Sequence, residues 1–256
     1  MFSNPIVLLT ACAIASAIPI MVWLSVFFKK NEKGKKIIAF VFLLGCLTAP
    51  TLLFIQYLWE IFPQFNIAAL IENNAHDQTI EFILTFILFG AMEEMIKLYV
   101  VKTVDEHTAL IKTVNDAVKY SIVSAMGFSF VENAFYLQQF WGNVDSGQIA
   151  GMYIFRAIFT TCAHIIFSGI FGYYYGIGKY SIVITEQKQL TEGTSKLTKF
   201  IANLFHLPLS EGFRQRMVLK GLILAIGIHS TFNYLLQVSK IFPVIAIVVI
   251  GYFYLQ

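Results

Sequence analysis

The chain has 256 residues, 57% of them hydrophobic and 13% charged, with a mean hydropathy of +0.71 and a formal net charge of +3. A soluble globular chain is about 25% charged, so a water-soluble globule is excluded, and the longest polar stretch, residues 181–216, leaves no room for a sizeable soluble domain. The small charge gives no footprint for a nucleic-acid partner, and Cys12, Cys46 and Cys162 all fall in apolar runs, which excludes a disulfide framework.

The apolar excess is gathered into runs of about 20 residues, the length that crosses a bilayer as a helix. Seven spans are expected, at 5–28, 37–58, 80–101, 117–140, 152–178, 217–237 and 241–255. The fold class is therefore all-α, a polytopic membrane helix bundle forming one integral-membrane domain over residues 1–256. The first run lacks the basic flank of a signal peptide and reads as a retained helix. Trp59 closes the second as an interfacial anchor. The seventh is short, and a re-entrant tail is the alternative to a full span.

Fifteen of the 18 basic residues lie in three segments, 29–36, 102–119 and 179–220. The opposite loops, 60–78 and 141–151, contain no Lys or Arg and hold Glu60, Glu72, Asp77 and Asp145. The positive-inside rule then predicts an outside N-terminus and a cytoplasmic C-terminus. In the long cytoplasmic loop, Leu197, Phe200, Ile201, Leu204 and Phe205 follow helical spacing beside Lys196 and Lys199, which predicts a helix in the inner interface or a connector packed on the bundle. Gly172 and Gly176, one turn apart in the fifth span, predict close helix packing.

Four spans carry ionisable groups. The third holds Glu93, Glu94 and Lys97. A single acidic residue at the centre of a membrane helix costs roughly 2.5–3.5 kcal/mol on insertion scales, so a neighbouring pair calls for a use. Lys97 is i+4 and i+3 from the two carboxylates and can reach either. Adjacent helix positions point about 100° apart, so the pair divides, one carboxylate towards a site and the other towards Lys97 or a neighbouring helix. The fourth span holds Phe128, Glu132 and Asn133, the fifth Arg156, Thr160 and His164, and the sixth His229 and Asn233. Each set alone also reads as an internal ion pair or a satisfied packing residue. At about 1.5 Å rise per residue, however, Glu93, His164 and His229 fall in the middle third of a roughly 30 Å core and Glu132 close to it. Carboxylates and imidazoles delivered to one depth by four helices point to a metal or acid–base site.

Two hydrolytic arrangements fit. In one, Glu132, His164 and His229 bind zinc or another divalent metal, and Glu93 or Glu94 is the general base. In the other, no metal is present: a Glu activates water directly while His229 and Asn233 stabilise the oxyanion. The chain lacks the His-Glu-x-x-His helix of common zinc proteases.

Glu93-Glu94-x-x-Lys97, Phe128-x-x-x-Glu132-Asn133, Arg156 ahead of His164, and His229-x-x-x-Asn233 come in one order on consecutive spans. In this, residues 80–236 resemble the PrsW family of intramembrane proteases, distantly similar to the CAAX prenyl endopeptidase and Abi families. The second motif ends in Glu132 where those relatives have His, and the first ends in Lys97 where they have an Arg one residue later, so the chain follows the PrsW form. The resemblance implies a membrane-embedded catalytic core over about 80–236 and cleavage of a membrane-anchored protein substrate, such as an anti-sigma factor, within the lipid bilayer. It implies a Glu of the first motif and the later histidines as catalytic residues, with Lys97, Phe128, Asn133 and Arg156 in support. By analogy with the related glutamate-dependent endopeptidases, Glu93 is expected at the water and Glu94 behind it. A proton-coupled transporter, or an inactive scaffold or immunity protein, would use the same residue types. No inverted repeat with matching broken helices supports the transporter.

Overall fold

The computed structural model describes residues 4–27, 35–141, 143–191 and 193–255. Helices occupy each of the seven expected places, and there is no strand among the described residues. They are α1 (Pro5–Phe27), α2 (Lys35–Ile61), α4 (Gln78–Thr108), α5 (Val114–Phe140), the composite α6 (Ser146–Phe155) and α7 (Thr161–Lys179), α10 (Leu209–Gln237) and α11 (Ile241–Leu255). Short helices fill the connections: α3 (Ile67–Asn74), α8 (Ser181–Thr191) and α9 (Lys196–Leu204). Among the described residues, four segments are long and apolar enough to cross a membrane, namely α1, α2, α6–α7 and α10. Helices α4 and α5 match them in length, at 31 and 27 residues, but carry charged side chains of the site. At 15 residues, α11 is too short to cross a roughly 30 Å core, so a count of seven full spans does not follow from the helices alone.

The helices start where the sequence offers acceptors to their first N–H groups. Asp77 accepts from Thr79 (2.8 Å) and Ile80 (3.1 Å) at the start of α4. Thr113 accepts from Asp116 (3.0 Å) at α5, and Asp145 from Gly147 (2.8 Å) and Gln148 (3.0 Å) at α6. Two of the four acids of the Lys-free loops are thus helix caps. Helix α10 begins at Leu209, earlier than the predicted 217, because Pro208 sets its entry and Glu211 suits its first turn. Arg214 and Arg216, expected in a loop, consequently ride on its first turns. Lys29, Lys30 and Lys33 of the expected basic cluster lie outside the described residues.

Helix α7 is the hub, packed against α5, α10 and α11. Its face bears the predicted small residues. A methyl group added at Gly172 would lie 2.6 Å from Ser121 Oγ and 2.8 Å from Ala117 O, and one at Gly176 would lie 2.8 Å from Val114 Cα, all on α5. Helix α2 meets α5 closer still. An added Cβ at Gly127 would sit 2.2 Å from Phe42 O, and one at Gly45 2.2 Å from Ser124 O, so these two helices cross with their backbones in contact. Phe167, Phe232 and Val101 fill the interior. Large apolar side chains such as Leu47, Ile223 and Ile250 are 59–70% exposed on the outside, as a bundle solvated by lipid requires. The three cysteines are free thiols, Cys12 and Cys162 buried and Cys46 half-buried.

Candidate active site

Gly90 opens the site. Its missing side chain admits Ser230 of α10, whose Oγ would lie 2.9 Å from an added Cβ, and Ser230 donates to Phe86 O (3.1 Å) across the same contact. The approach brings His229 against the acidic turn of α4.

There both glutamates approach Lys97 and His229, Glu94 closely and Glu93 at longer range. Glu94 is 2% exposed and lies between Lys97 Nζ (2.9 Å from its Oε1) and His229 Nδ1 (3.0 Å from the same oxygen). Glu93, unlike Glu94, lines a cavity of about 560 Å³. Its Oε2 is buried without a hydrogen-bond partner among the described residues, 3.6 Å from both Lys97 Nζ and His229 Nε2.

Lys97, 2% exposed, joins the helices. Beside Glu94 it reaches His164 Nδ1 (3.2 Å) and sits 4.1 Å from the centroid of the Phe128 ring, a cation–π contact. Phe128 also meets the His164 ring edge-on at 5.0 Å. His164 is buried at 3% exposure and turns Nε2 to Glu132 Oε2 (3.1 Å). Glu132 in turn takes Arg156 Nη2 at 2.8 Å.

Arg156 meets Glu132 because the helix between it and His164 is not regular. Residues Arg156–Thr160 form a single π turn. In an uninterrupted α-helix, positions 156 and 164 would lie about 80° apart around the axis. Widening one turn to i→i+5 spacing absorbs that offset, so both side chains address one carboxylate. Asn133 pins the turn. Its Oδ1 accepts from Arg156 Nε (2.9 Å), and its Nδ2 donates to Thr161 Oγ1 (3.1 Å), which donates to Arg156 O (3.0 Å). The guanidinium lies 3.7 Å from the ring centroid of Tyr136. Tyr136 is a site residue that the sequence reading misses, although its position one turn after Glu132 puts it on the same face.

The cavity is also lined by Glu132, Arg156, Thr160, His164, His229 and Asn233. Glu93, His164 and His229 each offer a ligand atom, and these atoms lie within 4.8 Å of one another. The donor set, one carboxylate and two imidazoles, suits zinc. Glu93 Oε2 has no competing hydrogen bond among the described residues. His229 has its Nδ1 committed to Glu94 with Nε2 left over, the usual arrangement of a supported metal ligand. Both ring nitrogens of His164 are engaged, Nδ1 by Lys97 and Nε2 by Glu132, so the set fits a divalent cation with His164 Nε2 exchanging Glu132 for the metal. Glu132, the third ligand expected from sequence, adjoins His164 but is held by Arg156.

Gln56, Gln139 and Gln237, near the C-terminal ends of α2, α5 and α10, line the same cavity. Its polar lining thus runs from the charged cluster to the end of the bundle away from the lysine-rich segments.

The profile of the PrsW family of intramembrane metalloproteases matches residues 33–255. Protease PrsW of Geobacillus kaustophilus (strain HTA426) is 30% identical over 172 residues, which cover 66% of this chain and 67% of that protein. No solved structure matches. The four motifs, their convergence on one cavity and these two matches agree, and the chain belongs to the PrsW family of intramembrane proteases.

Proposed function

We propose that this protease cuts a membrane-anchored protein, of the anti-sigma-factor kind that the family resemblance implies, with water activated at the Glu93–His164–His229 cluster. The observation that carries the reading is the buried Glu93 Oε2, without a hydrogen bond among the described residues, beside His229 Nε2 in a cavity that also holds His164 and Glu132. Glu93, His164 and His229 would hold the divalent metal that the family description implies; when bound, it polarises the peptide carbonyl and acidifies water.

The chain's own groups divide the remaining work. Glu132, held by Arg156 and His164 through one oxygen, is the cavity carboxylate outside the ligand set and accepts the proton of the attacking water. This exchanges the roles of Glu93 and Glu132 relative to the sequence expectation, because Glu93 is the carboxylate that approaches both imidazoles. Glu94 fixes the His229 tautomer from behind, and Lys97 balances the carboxylates. Asn233, one turn beyond His229 on the cavity wall, donates to the developing oxyanion. The charge asymmetry of the loops supports an outside N-terminus and a cytoplasmic C-terminus, with the glutamine-lined end of the cavity outside.

Purified protein and a single-span substrate in liposomes test this. Glu93→Gln is expected to lose both metal content and cleavage, and Glu132→Gln to lose cleavage while keeping the metal. Undiminished cleavage in Glu93→Gln and His229→Ala would refute the hydrolytic site. Full activity of protein stripped of metal would refute the metal assignment alone.

A further inference from the structure

A second polar cavity, of about 410 Å³, lies far from the acidic cluster, where α8 and α9 meet the start of α10. It is lined by Thr185 of α8, by Thr194 and Ser195 ahead of α9, by Lys196 and Thr198 in its first turn, and by Arg216 of α10. Among the described residues, no carboxylate lines it. Three features suit it to an anion. First, α9 begins at its wall, and the N-cap residue Ser195 makes no side-chain hydrogen bond to the first turn, so the N–H groups there keep the partial positive charge of a helix start. Second, Thr185 is 6% exposed and its hydroxyl has no hydrogen-bond partner among the described residues. A threonine on a helix ordinarily bonds back to a carbonyl one turn earlier, so a buried free hydroxyl beside a polar cavity lacks its partner. Third, Arg216 spends one donor on Thr198 Oγ1 (3.3 Å), which leaves the rest of its five-donor fork for the cavity, with the Lys196 ammonium at the rim.

The setting indicates the source of the anion. Helix α9 packs Thr198, Ile201 and Ala202 inward, yet Leu197, Phe200, Leu204 and Phe205 are 51–63% exposed. An exposed apolar strip beside a cationic pocket is the layout of an element lying at a membrane surface. We propose that this cavity binds a phosphate group, presented by the headgroup of an anionic phospholipid in the adjoining leaflet or by a soluble phosphate compound. The site is independent of the proteolytic centre and does not rest on its mechanism.

The test is titration of the full-length protein, in phosphatidylcholine nanodiscs, with short-chain phosphatidic acid and separately with inorganic phosphate. Binding to the wild type is expected, weakened about tenfold or more by Arg216→Gln, since a charge-assisted hydrogen bond is removed. Thr185→Val, which keeps the side-chain shape, is expected to weaken it several-fold and carries the test if Arg216→Gln does not fold. Lys199→Gln, on the same helix but outside the cavity lining, should leave binding within about twofold. Saturable binding of phosphatidic acid alone assigns the lipid source, and equal competition by inorganic phosphate assigns the soluble one. Absence of binding by both probes, wild-type affinity in Thr185→Val, or an equal loss in Lys199→Gln would overturn the proposal, the last by reducing it to diffuse surface charge.

Discussion

Replacing Lys97 by Met tests whether the site is held together by its buried cation. The side chain is 2% exposed and touches Glu94 (2.9 Å), His164 (3.2 Å), Glu93 (3.6 Å) and the face of Phe128 (4.1 Å). Methionine preserves the length and the apolar stem. It leaves Glu94 with His229 as its remaining partner and Glu93 with no cation within reach except a protonated imidazole. Removing one member of a buried ion pair costs about 3–5 kcal/mol, because the other charge stays behind. For a chain of this size that corresponds to a melting temperature lowered by roughly 10 °C, together with loss of cleavage. Adding Glu94→Gln should return part of the lost stability, because neutralising both members is far less damaging than stranding one. Thermal unfolding in detergent by intrinsic fluorescence, followed by a cleavage assay in liposomes, reads both effects. A Lys97→Met protein that melts within a degree or two of wild type, or a double variant that melts below the single one, would refute the argument.

Arg156→Lys keeps the charge but lacks the planar fork that spans Glu132 and Asn133 while lying on Tyr136; cleavage should fall at least tenfold at nearly unchanged melting temperature. Gly127→Leu puts a side chain where even a Cβ meets the α2 backbone at 2.2 Å, so folded yield should collapse on size-exclusion chromatography, whereas Gly151→Leu, with nothing within 4 Å, should be tolerated. Asn133→Ala releases the π turn, and its effect on cleavage should match that of Arg156→Lys without adding to it in the double variant.

The helices and the approximate depth of the charged groups are legible in the sequence because they follow from the length of the apolar runs and the rise per residue. Counting residues along separate spans brings Glu93, Glu132, His164 and His229 towards the interior of the core, and the 100° step between neighbours gives Glu93 and not Glu94 a place on the cavity wall. The rest depends on contacts that no single helix encodes. Which carboxylate approaches both imidazoles depends on how α4 and α10 are rotated, and that is set by Gly90 admitting Ser230. The π turn leaves no periodic signal, because one widened turn in an apolar helix changes no residue type. The Gly45–Gly127 crossing needs two distant glycines known to be opposite each other. The early start of α10 is hidden by arginines that look like loop residues yet lie at its N-terminal end.

The glutamine-lined end of the catalytic cavity also bears on how products leave. Hydrolysis replaces one neutral amide by a carboxylate and an ammonium, each strongly disfavoured in hydrocarbon. Neither fragment can withdraw sideways into lipid at the depth where it is made. Gln56, Gln139 and Gln237 line the cavity towards one end of the bundle, so they would offer hydrogen-bonding groups to new chain ends leaving towards that face. With cleavage at the acidic cluster, as proposed above, turnover would be vectorial, and changes at these three positions would act on product departure while leaving the acidic cluster intact.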